Sequence, residues 1–206
     1  MKLLLTAFEP FGGDTVNPAW EAVQALDAPE GIRVVKLQVP TVFGKAAETV
    51  LSAVRREYPD AVVCVGQAAG RAVLTPERVA INCRDARIPD NAGQAPTDEP
   101  VIPGGPAAYF STLPLRAMVS AIRAAGVGAE ISNTAGTFVC NDLMYGLLHG
   151  LAREFPGVRG GFIHVPCLPE QAQRRDGATP SMALDAIANG LTAAISPAVW
   201  RDPHHM

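Results

Sequence analysis

The chain has 206 residues, of which 48% are hydrophobic and 18% charged, and its formal net charge is −3. This length suits one domain spanning residues 1–206, and the hydrophobic share is large enough to build a buried core. The small net charge, without any basic cluster, argues against nucleic acid or an anionic membrane surface as the main partner.

The four cysteines do not form a C-x-x-C pair, and no histidine lies at metal-ligand spacing from one of them, so neither a zinc site nor a disulfide-rich framework is indicated. The apolar run that opens the chain is too short for a secretion signal, and no run approaches membrane-spanning length. The sequence therefore predicts a cytoplasmic protein with reduced thiols and no metal.

Apolar runs alternate with helical patterns along the chain, which predicts an α/β layered fold. The first half begins with a buried strand and a Pro/Gly turn and continues with a helix that Pro18 opens. Predicted strands and helices then alternate, and their ranges in chain order are strand 2–8, helix 17–26, strand 32–39, helix 42–58 and strand 61–65.

The second half contains a long segment, residues 88–106, that is rich in Pro, Gly, Asp and Asn. We predict a loop there, and loops of this length are often functional or lie at an interface. The predicted elements on either side of it are strand 78–83, a helix from Leu115 that ends before Gly126, strand 129–133, helix 138–155, strand 161–165 and helix 181–195.

Cys140 follows a predicted strand and a tight turn, and it falls in the first turn of the next helix. If Thr137 caps that helix, Cys140 is the third helical residue, where free N–H groups and the positive end of the helix dipole lie. Both would lower the pKa of the thiol and supply donors to an oxyanion. The alternative is a small buried apolar residue, as most cysteines are.

A thiol nucleophile needs a base, and the chain has four histidines. His204 and His205 end the chain. His149 lies nine residues after Cys140 on the same predicted helix, so it would be about 13 Å from Cys140 along the helix axis and on the opposite face. Elimination selects His164, which ends an apolar strand where side chains of α/β sheets commonly face the active-site crevice. A core histidine bonded to backbone is its alternative role.

The base in turn needs an acceptor that orients it, and two carboxylates are candidates. Glu77 enters an apolar strand, where burial without a partner would be costly, so a histidine or arginine partner is indicated. A surface pairing with a nearby arginine is the alternative. Asp142 is the weaker candidate because it is turned about 200° away from Cys140 on the predicted helix.

The segments around these residues resemble the pyroglutamyl peptidases, also called pyrrolidone-carboxylate peptidases. Two long motifs carry the resemblance, GQAAGRAVLTPERVAIN at 66–82 and ISNTAGTFVCN at 131–141. The similarity runs from Leu4 to about Gln171, with a departure at Cys167, where the family often has an aromatic residue. Shorter segments match in the same order: FEPFGG at 8–13, NPAWEAV at 17–23, QVPTVF at 38–43, ARIPDN at 86–91 and GGFIHVPCLPEQ at 160–171.

The resemblance implies a cysteine exopeptidase that hydrolyses the amide bond after an N-terminal pyroglutamyl residue and releases pyroglutamate. Its substrates would be N-terminally pyroglutamylated peptides. The implied Cys-His-Glu triad falls on Cys140, His164 and Glu77, and the choice of Glu77 rests on the resemblance. The family pattern also implies a three-layer α/β/α sandwich with a central mixed, twisted sheet, no cofactor, and a homo-oligomer, either a tetramer or a dimer.

A pyroglutamyl group is a flat, neutral lactam, so apolar walls with one or two amide partners suit it. By the resemblance, Phe8 and Phe11 face the ring, and core packing is the alternative role of both. The remaining predicted pocket residues supply walls, polar contacts or support for the oxyanion, and they are Thr41, Gln67, Arg87, Phe138 and Val139.

Two other functions stay open on the residues alone. Glutaminase-type amidotransferases also use Cys, His and Glu, but they place the cysteine in a G-x-C-x-G elbow, whereas residues 137–141 read TFVCN. A non-catalytic binding protein for a small amide or nucleoside-like ligand is compatible with the predicted fold, because fold alone does not determine function.

Overall fold

The computed structural model describes residues 1–175 and 178–200 of the chain. Its elements in chain order are β1 (Lys2–Phe8), α1 (Pro18–Ala25), β2 (Arg33–Val39), α2 (Lys45–Glu57), β3 (Ala61–Gln67), β4 (Thr75–Pro76), β5 (Val79–Ile81), β6 (Ala108–Phe110), α3 (Leu115–Ala124), α4 (Val139–Glu154), β7 (Arg159–Val165), α5 (Pro169–Arg175), α6 (Leu184–Ala194) and a final 3₁₀ turn (Pro197–Trp200).

The main sheet has five strands in the order β2-β1-β3-β7-β4. The first four run parallel, and β4 pairs antiparallel with β7, so the sheet is mixed. Strands β1, β3 and β7 are almost continuously apolar because helices cover both faces of the sheet. The predicted α/β fold with a mixed sheet is confirmed.

Two hydrophobic cores lie on opposite faces of the sheet, which gives the molecule three layers. Helices α1, α3 and α6 cover one face, and α2 and α4 cover the other. Alternation along β1 divides its side chains between the cores, with Leu3 and Leu5 on the first face and Leu4 and Phe8 on the second. None of the described helices is both long and apolar enough to cross a lipid bilayer.

The structure corrects two of the predicted elements and adds others. Residues 129–133, all of them described, form no strand and make only isolated bridges through Ala129 and Ser132. Their bridge partners are Leu74 and Glu77, which flank the two-residue strand β4. Helix α2 begins at Lys45 rather than at residue 42, because Gly44 before it has a positive φ of 71°. Strands β4 and β6 and helix α5 were not predicted.

Residues 88–106 carry neither a helix nor a strand beyond an isolated bridge, as predicted. Side chains nevertheless tie this loop to the body of the molecule. Asp90 is only 6% exposed and accepts a hydrogen bond from the Phe43 N–H at 2.9 Å. Asn91 donates to Glu9 Oε1 at 2.8 Å and to the Pro10 carbonyl at 2.9 Å. The loop therefore supports the turn that follows β1.

Candidate active site

A cleft of about 860 Å³ opens at the carboxyl ends of the parallel strands. This is the edge at which open α/β sheets place their ligands. Its walls come from the loops after β1 and β3, the segment 85–88, the turn before α4 and helix α5. Two predicted catalytic residues line it, Cys140 and His164, together with four predicted pocket residues: Phe11, Gln67, Arg87 and Phe138.

Cys140 is the second residue of α4, which begins at Val139 after Phe138 as the N-cap residue. The predicted cap by Thr137 is wrong, because that hydroxyl donates to the Asp85 carbonyl at 2.8 Å instead. The helix thus starts one residue later than predicted, without a side-chain cap. Cys140 still lies in the first turn, where backbone N–H groups have no carbonyl partner one turn earlier.

Gly66, in strand β3, lets the thiol approach the sheet closely. It lies opposite His164 in the register of β3 and β7, so side chains at these two positions point to the same face. A Cβ atom at residue 66 would lie 3.2 Å from Cys140 Sγ and 2.7 Å from Phe162 Cζ. The thiol therefore sits over the β3 backbone, next to the strand that carries the histidine.

A methyl group at residue 66 should disturb this arrangement. We expect Gly66→Ala to lower kcat by about 10²-fold, because small displacements of reacting groups have effects of this size. The variant should also lose about 1–3 kcal/mol of unfolding free energy, because Phe162 is fully buried. Gly157→Ala is the matched control, since its Cβ would meet no atom within 4 Å. Equal kcat and equal unfolding curves for the two variants would contradict this reading of Gly66.

His164 and Glu77 form a buried pair on the edge of the sheet. The distance from His164 Nδ1 to Glu77 Oε1 is 2.7 Å, and the two residues are 3% and 0% exposed. Pairing of β4 with β7 sets this geometry, because Thr75 lies opposite His164 and the Glu77 N–H donates to the Phe162 carbonyl at 2.9 Å. With Nδ1 engaged by the carboxylate, Nε2 is the nitrogen left to accept a proton.

The charge state of the nucleophile differs from the prediction. Burial raises the pKa of the Cys140 thiol to about 12, and the Glu77 carboxylate acts in the same direction. Arg71 and the N–H of Cys140 itself lower this pKa but do not offset burial. Although Cys140 keeps some accessible surface on the cleft, protein atoms surround its sulfur, so desolvation outweighs the start of the helix.

Burial also lowers the pKa of His164 from its usual value near 6.5, while the hydrogen bond and the charge of Glu77 act to raise it. Both shifts favour the uncharged forms, a thiol on Cys140 and a neutral imidazole on His164. From these forms a proton moves from sulfur to imidazole as the nucleophile attacks, which is general-base activation.

Three predicted pocket residues do not line the cleft. Phe8 is 2% exposed and packs in the core, with its ring centroid 6.2 Å from that of Phe162. Thr41 is buried and donates to the Glu9 carbonyl at 3.1 Å, and Val139 is fully buried at the start of α4. The alternation of β1 explains Phe8, since its last residue points towards the core shared with α2 and α4.

Two aromatic rings form an apolar wall of the cleft. The centroids of Phe11 and Phe138 are 6.2 Å apart, and Phe43 packs edge-on against Phe138 from behind at 5.3 Å. Phe11 follows β1 in a turn that places it outside both cores, unlike Phe8. Core packing, the alternative considered for both phenylalanines, therefore applies to Phe8 and not to Phe11.

Gln67 offers the cleft a buried polar atom. Its amide NH₂ group donates to Cys167 Sγ at 3.1 Å and to Gln171 Oε1 at 3.2 Å. Gln171 is held by Asp14, to which its own amide donates at 3.0 Å. Within the described part of the chain the oxygen of Gln67 has no hydrogen-bond partner, although it is fully buried. An N–H group of a ligand would satisfy it.

Sequence reasoning assigned no role to Arg71, Gln171 or Asp14, although all three line the cleft. Arg71 lies inside the motif at 66–82, and Gln171 closes the segment at 160–171, so the family-like motifs contained both without indicating what they contact. Their partners lie far away in the sequence, and local patterns carry no information on such contacts.

The other predicted candidates lie away from the cleft. His149 contacts the Tyr109 hydroxyl at 2.9 Å, in line with its exclusion as the base. Asp142 pairs with Arg84 at 2.5 Å and does not line the cleft. Its role is therefore structural, joining α4 to the segment after β5. His204 and His205 lie outside the described residues. The described residues contain no group of three His, Cys, Asp or Glu side chains placed to hold a metal ion.

Comparison with known proteins places this chain in a family. The family model described as pyroglutamyl peptidase matches residues 1–201. A pyrrolidone-carboxylate peptidase of Lactobacillus johnsonii is 55% identical over 203 residues, which cover 98% of this chain and 94% of that protein. One from Streptomyces coelicolor is 53% identical over 199 residues, covering 96% of this chain and 91% of the relative.

Solved structures give the same result. The crystal structure of pyroglutamyl peptidase I from Bacillus amyloliquefaciens superposes with a TM-score of 0.92 at 48% identity, covering 97% of both chains. A mutant pyrrolidone carboxyl peptidase from Pyrococcus furiosus superposes with a TM-score of 0.89 at 41% identity, covering 96% of this chain and 98% of that one. Sequence and fold thus agree, and the chain belongs to the pyroglutamyl peptidase family.

Proposed function

We propose that this protein is a cysteine-type pyroglutamyl peptidase that hydrolyses the amide bond after an N-terminal pyroglutamyl residue and releases pyroglutamate. The observation that carries the proposal is the buried 2.7 Å contact between His164 and Glu77 in a cleft that also exposes Cys140 at a helix start. A nucleophile, a base and an orienting carboxylate are the parts that acyl transfer by a thiol requires.

The reaction follows from this arrangement. His164 Nε2 takes the thiol proton as Cys140 Sγ attacks the carbonyl carbon, while Glu77 stabilises the imidazolium. The N–H groups at the start of α4 receive the oxyanion, with support from Arg87 on the cleft wall. His164 then protonates the leaving amine, which leaves a thioester on Cys140, and a water molecule activated by His164 hydrolyses it to pyroglutamate. Every step uses protein groups and water, so the proposal includes no cofactor.

The pocket residues suit a lactam ring. Phe11 and Phe138 provide flat apolar surfaces, and the unpartnered oxygen of Gln67 is positioned to accept the lactam N–H. A peptide with a free N-terminal ammonium would need a carboxylate partner in this pocket instead. Asp14 on the cleft is already engaged, because it pairs with Arg175 at 3.3 Å and accepts a hydrogen bond from Gln171 at 3.0 Å.

We further propose that residues 1–206 form one catalytic domain and that the protein is a cytoplasmic homo-oligomer, a tetramer or a dimer. The family match across residues 1–201 supports the first statement. The four cysteines are all free, as expected for a reducing compartment. Exposed apolar side chains on the β5–β6 ribbon, Ile81 at 38% and Phe110 at 68%, support contacts between copies.

Hydrolysis of amide reporters tests the activity directly. We expect cleavage of a pyroglutamyl-amide reporter and at least about 10³-fold lower kcat/KM on prolyl-amide and glutaminyl-amide reporters, because buried polar groups left unpaired discriminate strongly. Ammonia release from the glutaminyl compound, with no turnover of the pyroglutamyl one, would instead support an amidotransferase-type glutaminase.

Labelling with iodoacetamide distinguishes an enzyme from a binding protein. Cys140 should react far faster than the fully buried Cys64, and its rate should fall when His164 is replaced. Equally slow labelling of both cysteines would favour a non-catalytic protein.

A further inference from the structure

The guanidinium of Arg71 connects three parts of the site. Its Nη1 group donates to Glu77 Oε1 at 2.5 Å and also contacts the Thr75 hydroxyl, while Nη2 donates to the Thr134 carbonyl at 2.9 Å. Thr75 is the register partner of His164, and Thr134 begins the turn that leads into α4. One side chain therefore links the acid, the strand of the base and the turn before the nucleophile.

The acceptor at the centre of this network is a single carboxylate oxygen. Glu77 Oε1 receives both Arg71 Nη1 and His164 Nδ1, whereas Glu77 Oε2 is buried and has no partner in the described part of the chain. A buried carboxylate that relied on a neutral imidazole alone would be poorly stabilised as an anion. The guanidinium supplies the missing positive charge, and its planar fork also restricts where Oε1 can point.

We propose that Arg71 is a positioning residue of the catalytic site, which holds the Glu77 carboxylate directed at His164 and thereby influences the pH at which the histidine becomes a competent base. The inference rests on the triad proposed above but not on the identity of the substrate. Arg71 lines the cleft with its side chain 24% exposed, so it acts at the boundary between the buried pair and solvent.

Burial has the largest influence on the pKa of His164 and lowers it. Three charged or titratable groups lie around the ring. Glu77 faces it from the chain after β4, Arg71 from the loop after β3, and Cys140 from the start of α4. The charge of Glu77 raises the pKa of His164 and that of Arg71 lowers it. Loss of the nearby Arg71 cation therefore favours the protonated form of His164.

Removal of the charge should therefore move the acid limb of activity to higher pH. For Arg71→Gln we expect a shift of about one pH unit in kcat/KM, a size typical of the loss of a neighbouring charge. We also expect kcat to fall about tenfold or more with KM little changed, because the side chain orients Glu77 rather than the substrate. Arg71→Lys keeps the positive charge but lacks the planar guanidinium with its two donor groups. The pH of its acid limb should therefore return closer to the wild-type value than its kcat does.

The pH dependence of Cys140 alkylation by iodoacetamide provides a second readout that needs no peptide. The labelled Cys140 peptide is quantified by mass spectrometry, and its acid limb should move by the same amount in Arg71→Gln. If alkylation shifts but no reporter is cleaved, the role of Arg71 stands and the proposed substrate does not. The matched control is Arg78→Met, which removes a guanidinium bonded to Asn133 at 2.7 Å rather than to Glu77. In this variant the acid limb of hydrolysis and the acid limb of alkylation should both stay at their wild-type pH.

Several results would overturn the proposal. An unchanged acid limb in Arg71→Gln, in both hydrolysis and alkylation, would show that the charge does not act on the histidine. A loss confined to KM would make Arg71 a substrate contact. The third result is that Arg71→Gln does not fold while Arg71→Lys keeps the wild-type kcat and pH profile. It would show that Arg71 only stabilises the fold through its positive charge.

Discussion

Replacement of Cys140 by alanine is expected to abolish hydrolysis of a pyroglutamyl-amide reporter, lowering kcat by roughly 10⁴-fold or more, because no other group on the cleft can form the thioester. Cys140→Ser should be nearly as inactive, since a hydroxyl is harder to deprotonate than the thiol and the site offers only a histidine with a lowered pKa. Steady-state kinetics with purified protein measures both effects.

The fold should survive this change, because Cys140 is only partly buried and the substitution removes a single atom. We expect the unfolding free energy to stay within about 1 kcal/mol of wild type by thermal or urea denaturation. Cys83→Ala is the matched control, since this half-buried thiol lies near Asp98 and does not line the cleft. A Cys140→Ala protein with more than a small fraction of wild-type kcat would exclude Cys140 as the nucleophile.

Replacement of Glu77 by glutamine is expected to have the second-largest effect, lowering kcat by roughly 10²–10⁴-fold with KM little changed. The amide has nearly the shape of the carboxylate but cannot stabilise the imidazolium, and its NH₂ group can force the wrong tautomer on His164. Since the Glu77 charge raises the pKa of His164, the residual activity should keep an acid limb at lower pH than wild type.

The direction of that shift separates the roles of two neighbouring residues. Loss of the Glu77 charge should move the acid limb down, whereas loss of the Arg71 charge should move it up. Glu154→Gln is the control, because Glu154 also pairs with an arginine, Arg55 at 2.6 Å, but on an exposed surface where such pairs contribute little. A Glu77→Gln profile that shifts upwards, or wild-type kcat in this variant, would contradict the assignment of Glu77.

Much of the architecture was predictable because it depends on local patterns. Strands β1, β3 and β7 are apolar runs of seven residues or fewer, as expected where both faces of a sheet are covered, and the structure contains each of them. The prediction failed at 129–133, where only isolated bridges form, to Leu74 and Glu77 on either side of the two-residue strand β4. Whether a segment pairs depends on its neighbour in space, which the segment itself does not encode.

The site divides in a similar way. Cys140 could be selected from its place after a turn and at a helix start, and His164 from its place at a strand end, because both arguments use the geometry of a single element. The assignment to the pyroglutamyl peptidase family, made from motifs, is confirmed. Phe8 and Phe11 could not be separated, since both stand at the boundary between β1 and its loop.

The sequence by itself determined the chemical types at the site and the order in which the chain presents them. Only the tertiary structure decided how they act on one another. Gln67 contacts Gln171, which lies 104 residues away in the sequence. Arg71 and His164 both bond to Glu77. These contacts arise from the packing of distant segments. The raised pKa of Cys140 has the same origin, because desolvation depends on every atom that packs around a group, whereas the helix start is a local feature and proved the weaker influence.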